Sequence, residues 1–448
     1  MTPRNEIAMA EGESNITSER ERWQAANLSA ETFQLLERDS QAFLHQSLST
    51  PCLNALRSTN GSWIEDVEGR RYLDFHGNSV HQVGYGNPKV VAAIKKQLDV
   101  MPFCPRRYTN EPAIRLAEKL ADLAPGKLNK VLLAPGGTNA IGIALKLARL
   151  ATGKHKVVSL WDSFHGASLD AISVGGEELF RRDIGPMLPG VEHVPPPDPR
   201  RCPLGCGSQC SLACANYLSY VMDKEGDVGA VIAEPIRCTT AVAPPPGYWR
   251  MVREACDRHG ALLIFDEIPV ALGRTGAWFA CEWTGVVPDV LVIGKGLGGG
   301  IFPMAAVIAH EDLDVGDEIA LGHYTHEKSP VGSAAGLATI EAIEEEDLLT
   351  RSRVEGARFL RAIKDFTANS RSVLEVRGIG LLIGVEMAEP RTAEAVLYES
   401  LSRGLSFKVS SGTVLTLTPP LTITTEELDM AIETLCKSIT AAETGGVS

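Results

Sequence analysis

The sequence predicts an α/β protein: a large domain with a mostly parallel sheet covered by helices, joined to a smaller α+β domain. Two observations carry this reading. Short apolar runs at 131–134, 157–160, 230–233, 262–265 and 290–293 alternate with helical patterns, as strands buried on both faces do. After about residue 335 the pattern changes to a helix, strands around 377–386 and 413–417, and a final helix. A chain of 448 residues with 44% hydrophobic content has room for more than one core. The expected organisation is a flexible N-terminal segment over 1–28, part of the small domain over 29–75, the large domain over 76–335 and the rest of the small domain over 336–448.

The elements follow in order. From Ser29 the spacing of Phe33, Leu36, Phe43 and Leu44 fits an amphipathic helix. The stretch 63–75 reads as a hairpin turning at Glu68-Gly69. Near the end, Thr424 and Glu427 have the spacing of a capping box. The helix it starts presents Leu428, Ala431, Ile432, Leu435 and Ile439 on one face.

A formal net charge of −13 argues against a nucleic-acid partner, because phosphate backbones are met by basic faces. No signal-type run opens the chain and no stretch of about 18 apolar residues occurs, so a cytoplasmic location without membrane contact is expected. The ten cysteines are not a disulfide framework in a chain this long. Four of them, Cys202, Cys206, Cys210 and Cys214, recur at a spacing of four after the Pro-rich run 195–199. That spacing matches the usual paired metal motifs poorly, so free thiols or local disulfides in a surface insertion are expected, with a zinc or iron–sulfur site as the alternative. No metal is expected.

The candidate chemistry lies at strand ends, where open α/β sheets place ligands. Asp266 closes the run 261–265, and Lys295 follows 290–293 and opens a glycine-rich stretch. Gly136-Gly137-Thr138 precedes a helical run, and amides at a helix N-terminus beside a hydroxyl make a phosphate cradle. Phe164-His165-Gly166 follows another strand and offers an aromatic face. A lysine amine, an acid, a phosphate cradle and a flat aromatic group are what pyridoxal 5′-phosphate requires.

Asp266-Glu267-Ile268, Gly273-Arg274-Thr275-Gly276, Pro288-Asp289-Val290 and Gly294-Lys295-Gly296 resemble the signature of class III pyridoxal-phosphate aminotransferases. The similarity extends from about Trp63 to Leu435, through Asn110-Glu111-Pro112, Val376-Arg377-Gly378 and Pro419-Pro420-Leu421. The resemblance implies the fold type I transferase architecture. It implies that Lys295 holds the cofactor covalently and shuttles protons, that Asp266 pairs with the ring nitrogen, and that Phe164 stacks on the ring beside His165. Gly137 and Thr138 would bind the phosphate, and Glu234 matches the acid of the family's Glu-Pro motif. Thr325 matches the threonine that reaches the phosphate from a neighbouring subunit, which implies a homodimer with shared active sites.

Two positions depart from members that transaminate α-amino acids. Thr239 stands where a second acid follows the Glu-Pro motif, and Leu415, Thr416, Leu417 and Thr418 fill the strand where an arginine receives the α-carboxylate. Arg106-Arg107-Tyr108 lies where the family's substrate-access loop is expected, and arginine suits a phosphoryl or phosphonyl dianion. The stretch from Glu234-Pro235 to Pro245-Pro246-Gly247-Tyr248 resembles ethanolamine-phosphate phospho-lyases and related ammonia-lyases, which eliminate rather than transaminate. That likeness implies an aminophosphonate substrate, (R)-1-hydroxy-2-aminoethylphosphonate, that loses its hydroxyl by elimination to an enamine, which water then hydrolyses to phosphonoacetaldehyde and ammonia. Arg107, Tyr108, His76 and Asn78 are the candidate substrate contacts, with Lys295, His76 or His81 as proton donor to the leaving group. The alternative is an aminotransferase taking an ω-amine or aminophosphonate with pyruvate as acceptor.

Overall fold

The computed structural model describes residues 14–206 and 210–445. Its described residues fall into two compact units, one within 87–238 and 242–349, the other within 14–86, 239–241 and 350–445.

The larger unit is built on a seven-stranded sheet. Its strands are β1 (Leu128–Ala134), β2 (Lys156–Leu160), β3 (Val191–Val194), β4 (Val228–Ala233), β5 (Leu262–Asp266), β6 (Val290–Ile293) and β7 (Ala305–His310), in the spatial order β1-β7-β6-β5-β4-β2-β3. Neighbours are parallel except that β7 runs antiparallel to both β1 and β6. The five strands expected from the sequence are present; β3 and β7 are additional. β4 and β6 are buried along their whole length, which is why they read as continuous apolar runs. The helix Gly137–Thr152 lays Ala140, Ile141, Ala144 and Ala148 into the core of this unit, and Gly153 at φ 66° ends it. Helix Pro330–Glu345 packs on helices Pro88–Val100 and Glu111–Leu123. It therefore belongs to the larger unit, whose limits fall at 87 and 349 rather than at the expected 76 and 335.

The smaller unit carries two four-stranded sheets. One contains the expected hairpin, Trp63–Asp66 paired antiparallel with Arg71–Asp74. Its turn is organised by buried Asp66, whose carboxylate accepts from the amides of Glu68 (3.0 Å) and Arg70 (2.9 Å) and from the Tyr72 hydroxyl (3.0 Å). The other sheet orders Val373–Ile379, Leu382–Met387, Val414–Leu417 and Lys408–Ser410. The capping box forms as expected: Thr424 N donates to Glu427 Oε2 at 3.0 Å, and Glu427 N donates to Thr424 Oγ1 at 3.1 Å. The helix Thr425–Gly445 then buries Leu428, Ala431, Leu435 and Ile439, while Ile432 is half-buried.

The N-terminal expectations need correction. Residues 18–27 are not a loose tail but a helix, anchored by a single aromatic side chain. Trp23 is 5% exposed, its indole donates to Ser402 Oγ at 3.1 Å, and its ring lies 6.3 Å from that of Tyr398. The flanking charges hide that aromatic anchor from any periodicity, and the buried Arg20 adds to it by donating to Pro51 O at 3.0 Å. The next helix starts after its Ser29 cap but stops at Ala42, leaving Phe43 and Leu44 outside it and 63% and 93% exposed.

Candidate active site

The larger unit brings its candidate residues to the carboxyl ends of its strands. Asp266 ends β5 and pairs in register with Val292 of β6, so Lys295 leaves the adjoining strand just beyond. Asp266 is buried, with both oxygens engaged: Oδ2 lies 2.8 Å from His165 Nδ1, and Oδ1 accepts from Ile268 N at 3.0 Å. His165, from the loop after β2, is equally buried, and its Nε2 has no hydrogen-bond partner among the described residues. Lys295 adopts φ 43°, a left-handed conformation unusual for a residue with a side chain, at the start of a short 3-10 turn. Such strain is tolerated where the surroundings fix the backbone.

The glycine turn after β1 forms the second wall. Gly137 opens a 16-residue helix, whose free N-terminal amides favour an anion. Thr138 Oγ1 accepts from Ala167 N at 3.3 Å, which ties this turn to the Phe164–His165 loop. The junction leaves no spare space: a Cβ on Gly166, at φ 125°, would lie 2.2 Å from Thr138 Oγ1. A Cβ on Gly137 would lie 2.8 Å from Ile268 Cδ1, and one on Gly294 would lie 3.3 Å from Ile268 Cγ2. Ile268 therefore wedges the phosphate turn against the Lys295 turn.

Phe164 is half-buried and packs on Phe180, ring centres 4.4 Å apart. Glu234, after β4, accepts from Phe164 N and Cys238 N, each at 3.3 Å. Thus Gly137, Thr138, Phe164, His165, Glu234, Asp266 and Lys295 occupy adjoining strand ends of one sheet. Thr325 is exposed in the stretch before helix Pro330–Glu345. Arg107 and Tyr108 are exposed in the loop preceding helix Glu111–Leu123. His76 and Asn78 belong to the smaller unit, half-buried and exposed respectively. His81 is fully buried there, Nε2 3.0 Å from Asp74 O, a position that suits structure better than proton delivery.

Three neighbours were not singled out from the sequence. Glu267 is completely buried, accepting from Ala280 and Cys281 amides, and burial pushes its carboxyl up to about 7. Ile268 is the wedge described above, and Phe180 covers Phe164. The first two sit inside the quoted Asp-Glu-Ile motif, whose meaning was assigned to Asp266 alone. Phe180 comes from the four-residue helix Glu178–Arg181, too short to leave a periodic signal.

A buried carboxylate and a lysine on adjoining strand ends, with a glycine turn leading into a long helix, define a fold type I pyridoxal-phosphate enzyme. The chain belongs to the class III aminotransferase family, whose model matches residues 45–439. It is 47% identical to an (R)-1-hydroxy-2-aminoethylphosphonate ammonia-lyase of Vibrio splendidus, over 96% of this chain and 95% of that protein. It is 35% identical to a leucine/methionine racemase of Thermococcus litoralis, over 92% and 97% of the two chains. Among solved structures, a Bacillus anthracis aminotransferase superposes with a TM-score of 0.84 at 28% identity, over 91% of this chain and 98% of that one.

The residues present fit pyridoxal 5′-phosphate. Asp266, oriented by His165 and the Ile268 amide, offers a buried anionic partner for a ring nitrogen. The Gly137–Thr138 turn offers amides and a hydroxyl to a phosphate, and Lys295 offers the amine. No helix among the described residues is long and apolar enough to cross a membrane.

Proposed function

We propose that the protein is a pyridoxal-phosphate-dependent ammonia-lyase acting on (R)-1-hydroxy-2-aminoethylphosphonate, releasing ammonia and phosphonoacetaldehyde. The observation that carries this reading is the pairing of the two departing positions. Thr416 donates its hydroxyl to the carbonyl of Thr239, within the smaller unit. Where an α-amino-acid transaminase of this family would carry an arginine in the strand and an acid after the Glu-Pro motif, this chain has the uncharged residues Leu415, Thr416, Leu417 and Thr418 and the neutral Thr239, with the Thr416 hydroxyl bonded to the main chain at 239. The name of the Vibrio relative supports the same reading.

When bound, the cofactor supplies an electron sink for charge developing on the carbon that bears the substrate amine. The chain's own groups do the rest. Asp266 holds a proton on the ring nitrogen, with His165 and the Ile268 amide fixing its carboxylate. Phe164, backed by Phe180, limits movement of the ring face. With the cofactor bound, Lys295 Nζ would be the base that removes the proton from the amine-bearing carbon. Arg107 meets the phosphonate dianion with a planar guanidinium, and Tyr108 flanks it. Hydroxide is a poor leaving group and needs a proton; Lys295 Nζ, having just accepted one, supplies it, and water hydrolyses the resulting enamine to ammonia and the aldehyde. Thr325 would complete the phosphate site of a second copy, making the working unit a homodimer.

The experiment is an ammonia assay on the purified protein with the hydroxylated aminophosphonate, with and without pyruvate. Equal amounts of ammonia and aldehyde without a keto acid are expected. Turnover only after pyruvate is added would replace this reading with transamination of an aminophosphonate.

A further inference from the structure

The four regularly spaced cysteines are not used by the chemistry above, and the structure arranges two of them. Pro203 occupies the second position of a turn in which Gly205 N donates to Cys202 O at 3.1 Å, with Gly205 at φ 69°. The chain thereby folds back at Gly205 and turns Cys206, the next residue, round toward Cys202. On the other side, Cys206 Sγ lies 3.4 Å from the hydroxyl of Ser211. The amides of Ser211 and Ala213 also face it, as the chain enters the 13-residue helix Ala213–Glu225. Cys202 and Cys206 are both half-buried, whereas Cys214 is buried.

These surroundings favour the thiolate of Cys206. The Ser211 hydroxyl first, then the Ser211 amide and the Cys202 thiol, lower the Cys206 thiol to about 7. Burial pushes Cys214 and Cys436 up to about 11. Among the described residues no three histidine, cysteine, aspartate or glutamate side chains are grouped so as to hold a metal ion, and Cys202, Cys206, Cys210 and Cys214 form no disulfide. The arrangement is that of a nucleophile beside a second thiol.

We infer that Cys206 and Cys202 form a thiol–disulfide exchange site, with Cys206 as the attacking thiol, Cys202 as the resolving thiol and a low-molecular-weight disulfide as co-reactant. Cys206 sulfur attacks one sulfur of the co-reactant, whose S–S bond breaks, and the departing thiolate takes up the proton released by Cys206. Cys202 then loses its proton and attacks Cys206 sulfur in the mixed disulfide, and the second small thiol leaves with that proton. Two protein thiols are oxidised to one disulfide, and one small disulfide is reduced to two thiols.

The test treats the full chain, cofactor bound, with oxidised glutathione, traps remaining thiols with N-ethylmaleimide and maps the peptides. A Cys202–Cys206 disulfide is expected. Cys202→Ser should stop at a glutathione adduct on Cys206, and Cys206→Ser should give neither product. Alkylation of Cys206 at pH 7 should outpace that of Cys436 by about tenfold or more, since only the former is substantially ionised there. First reaction at Cys210 or Cys52, or a Cys202–Cys206 pair that never closes, would overturn the inference. So would stoichiometric zinc in the purified protein with all four clustered cysteines shielded from the alkylating agent.

Discussion

His165 Nδ1 stands 2.8 Å from Asp266 Oδ2 with both side chains withdrawn from solvent, joining the loop after β2 to the end of β5. The imidazole restrains the carboxylate, which among the described residues otherwise has only the Ile268 amide to orient it. Replacing His165 by Ala would strip a buried acceptor of its partner at a cost of about 1–3 kcal/mol. The expected outcome is cofactor retention about tenfold to a hundredfold weaker, read by dialysis and absorbance titration. His165→Asn, which still offers an N–H, should recover part of it. Equal losses in both variants would leave His165 with bulk packing alone.

A second prediction tests the cradle by filling space. Gly166→Ala places a methyl where Thr138 Oγ1 stands and in a backbone region that L side chains rarely adopt. The affinity for pyridoxal phosphate should fall at least about tenfold as the threonine is pushed aside. Gly153→Ala is the control. That glycine also has a positive φ, at 66°, with no atom within 4 Å of the added carbon, so it should cost about 1 kcal/mol of stability and leave the affinity unchanged. An unaltered affinity in Gly166→Ala would show that Thr138 does not contact the phosphate.

How much of this was legible beforehand follows from what each feature writes into a chain. β5 is buried apart from its half-buried first residue and β6 is buried throughout, so their apolar runs announced themselves, and the Asp266 and Lys295 positions followed from them. β7 is just as apolar, but burial carries no sign of direction, and its antiparallel insertion between β1 and β6 rests on pairings remote in sequence. The Thr424–Glu427 cap was readable because both partners lie within one turn. The His165–Asp266 contact was not, because it spans 101 residues and no local pattern demands it. Trp23 shows the reverse failure, one buried ring among charged neighbours that together look unstructured.

The Arg107 proposal separates substrate from cofactor. Arg107 lies on an exposed loop, while the cradle is made by strand ends. Arg107→Ala should raise KM for the aminophosphonate about tenfold to a hundredfold and leave kcat within a few-fold, as loss of a charge-assisted contact made in both ground and transition states does. Cofactor affinity should not move. A parallel loss of cofactor binding would take Arg107 out of the substrate role.

Glu267 gives a prediction in pH. Its carboxyl is raised from the usual 4.5 to about 7, chiefly by burial, against the opposing pull of the Ala280 and Cys281 amides. The folded state therefore holds a proton that the unfolded chain gives up between about pH 4.5 and 7. The stabilising effect of that proton is complete below about 4.5 and is lost as pH rises through 7. A shift of this size corresponds to about 3 kcal/mol as an upper figure. Glu267→Gln cannot ionise, although its amide nitrogen gives up one of the two acceptor positions. The melting temperature of the variant relative to the parent should consequently climb between pH 5 and 8. Scanning calorimetry across that range decides it: a difference that stays flat with pH would mean that Glu267 is ionised in the folded protein throughout, its charge met by the two amides.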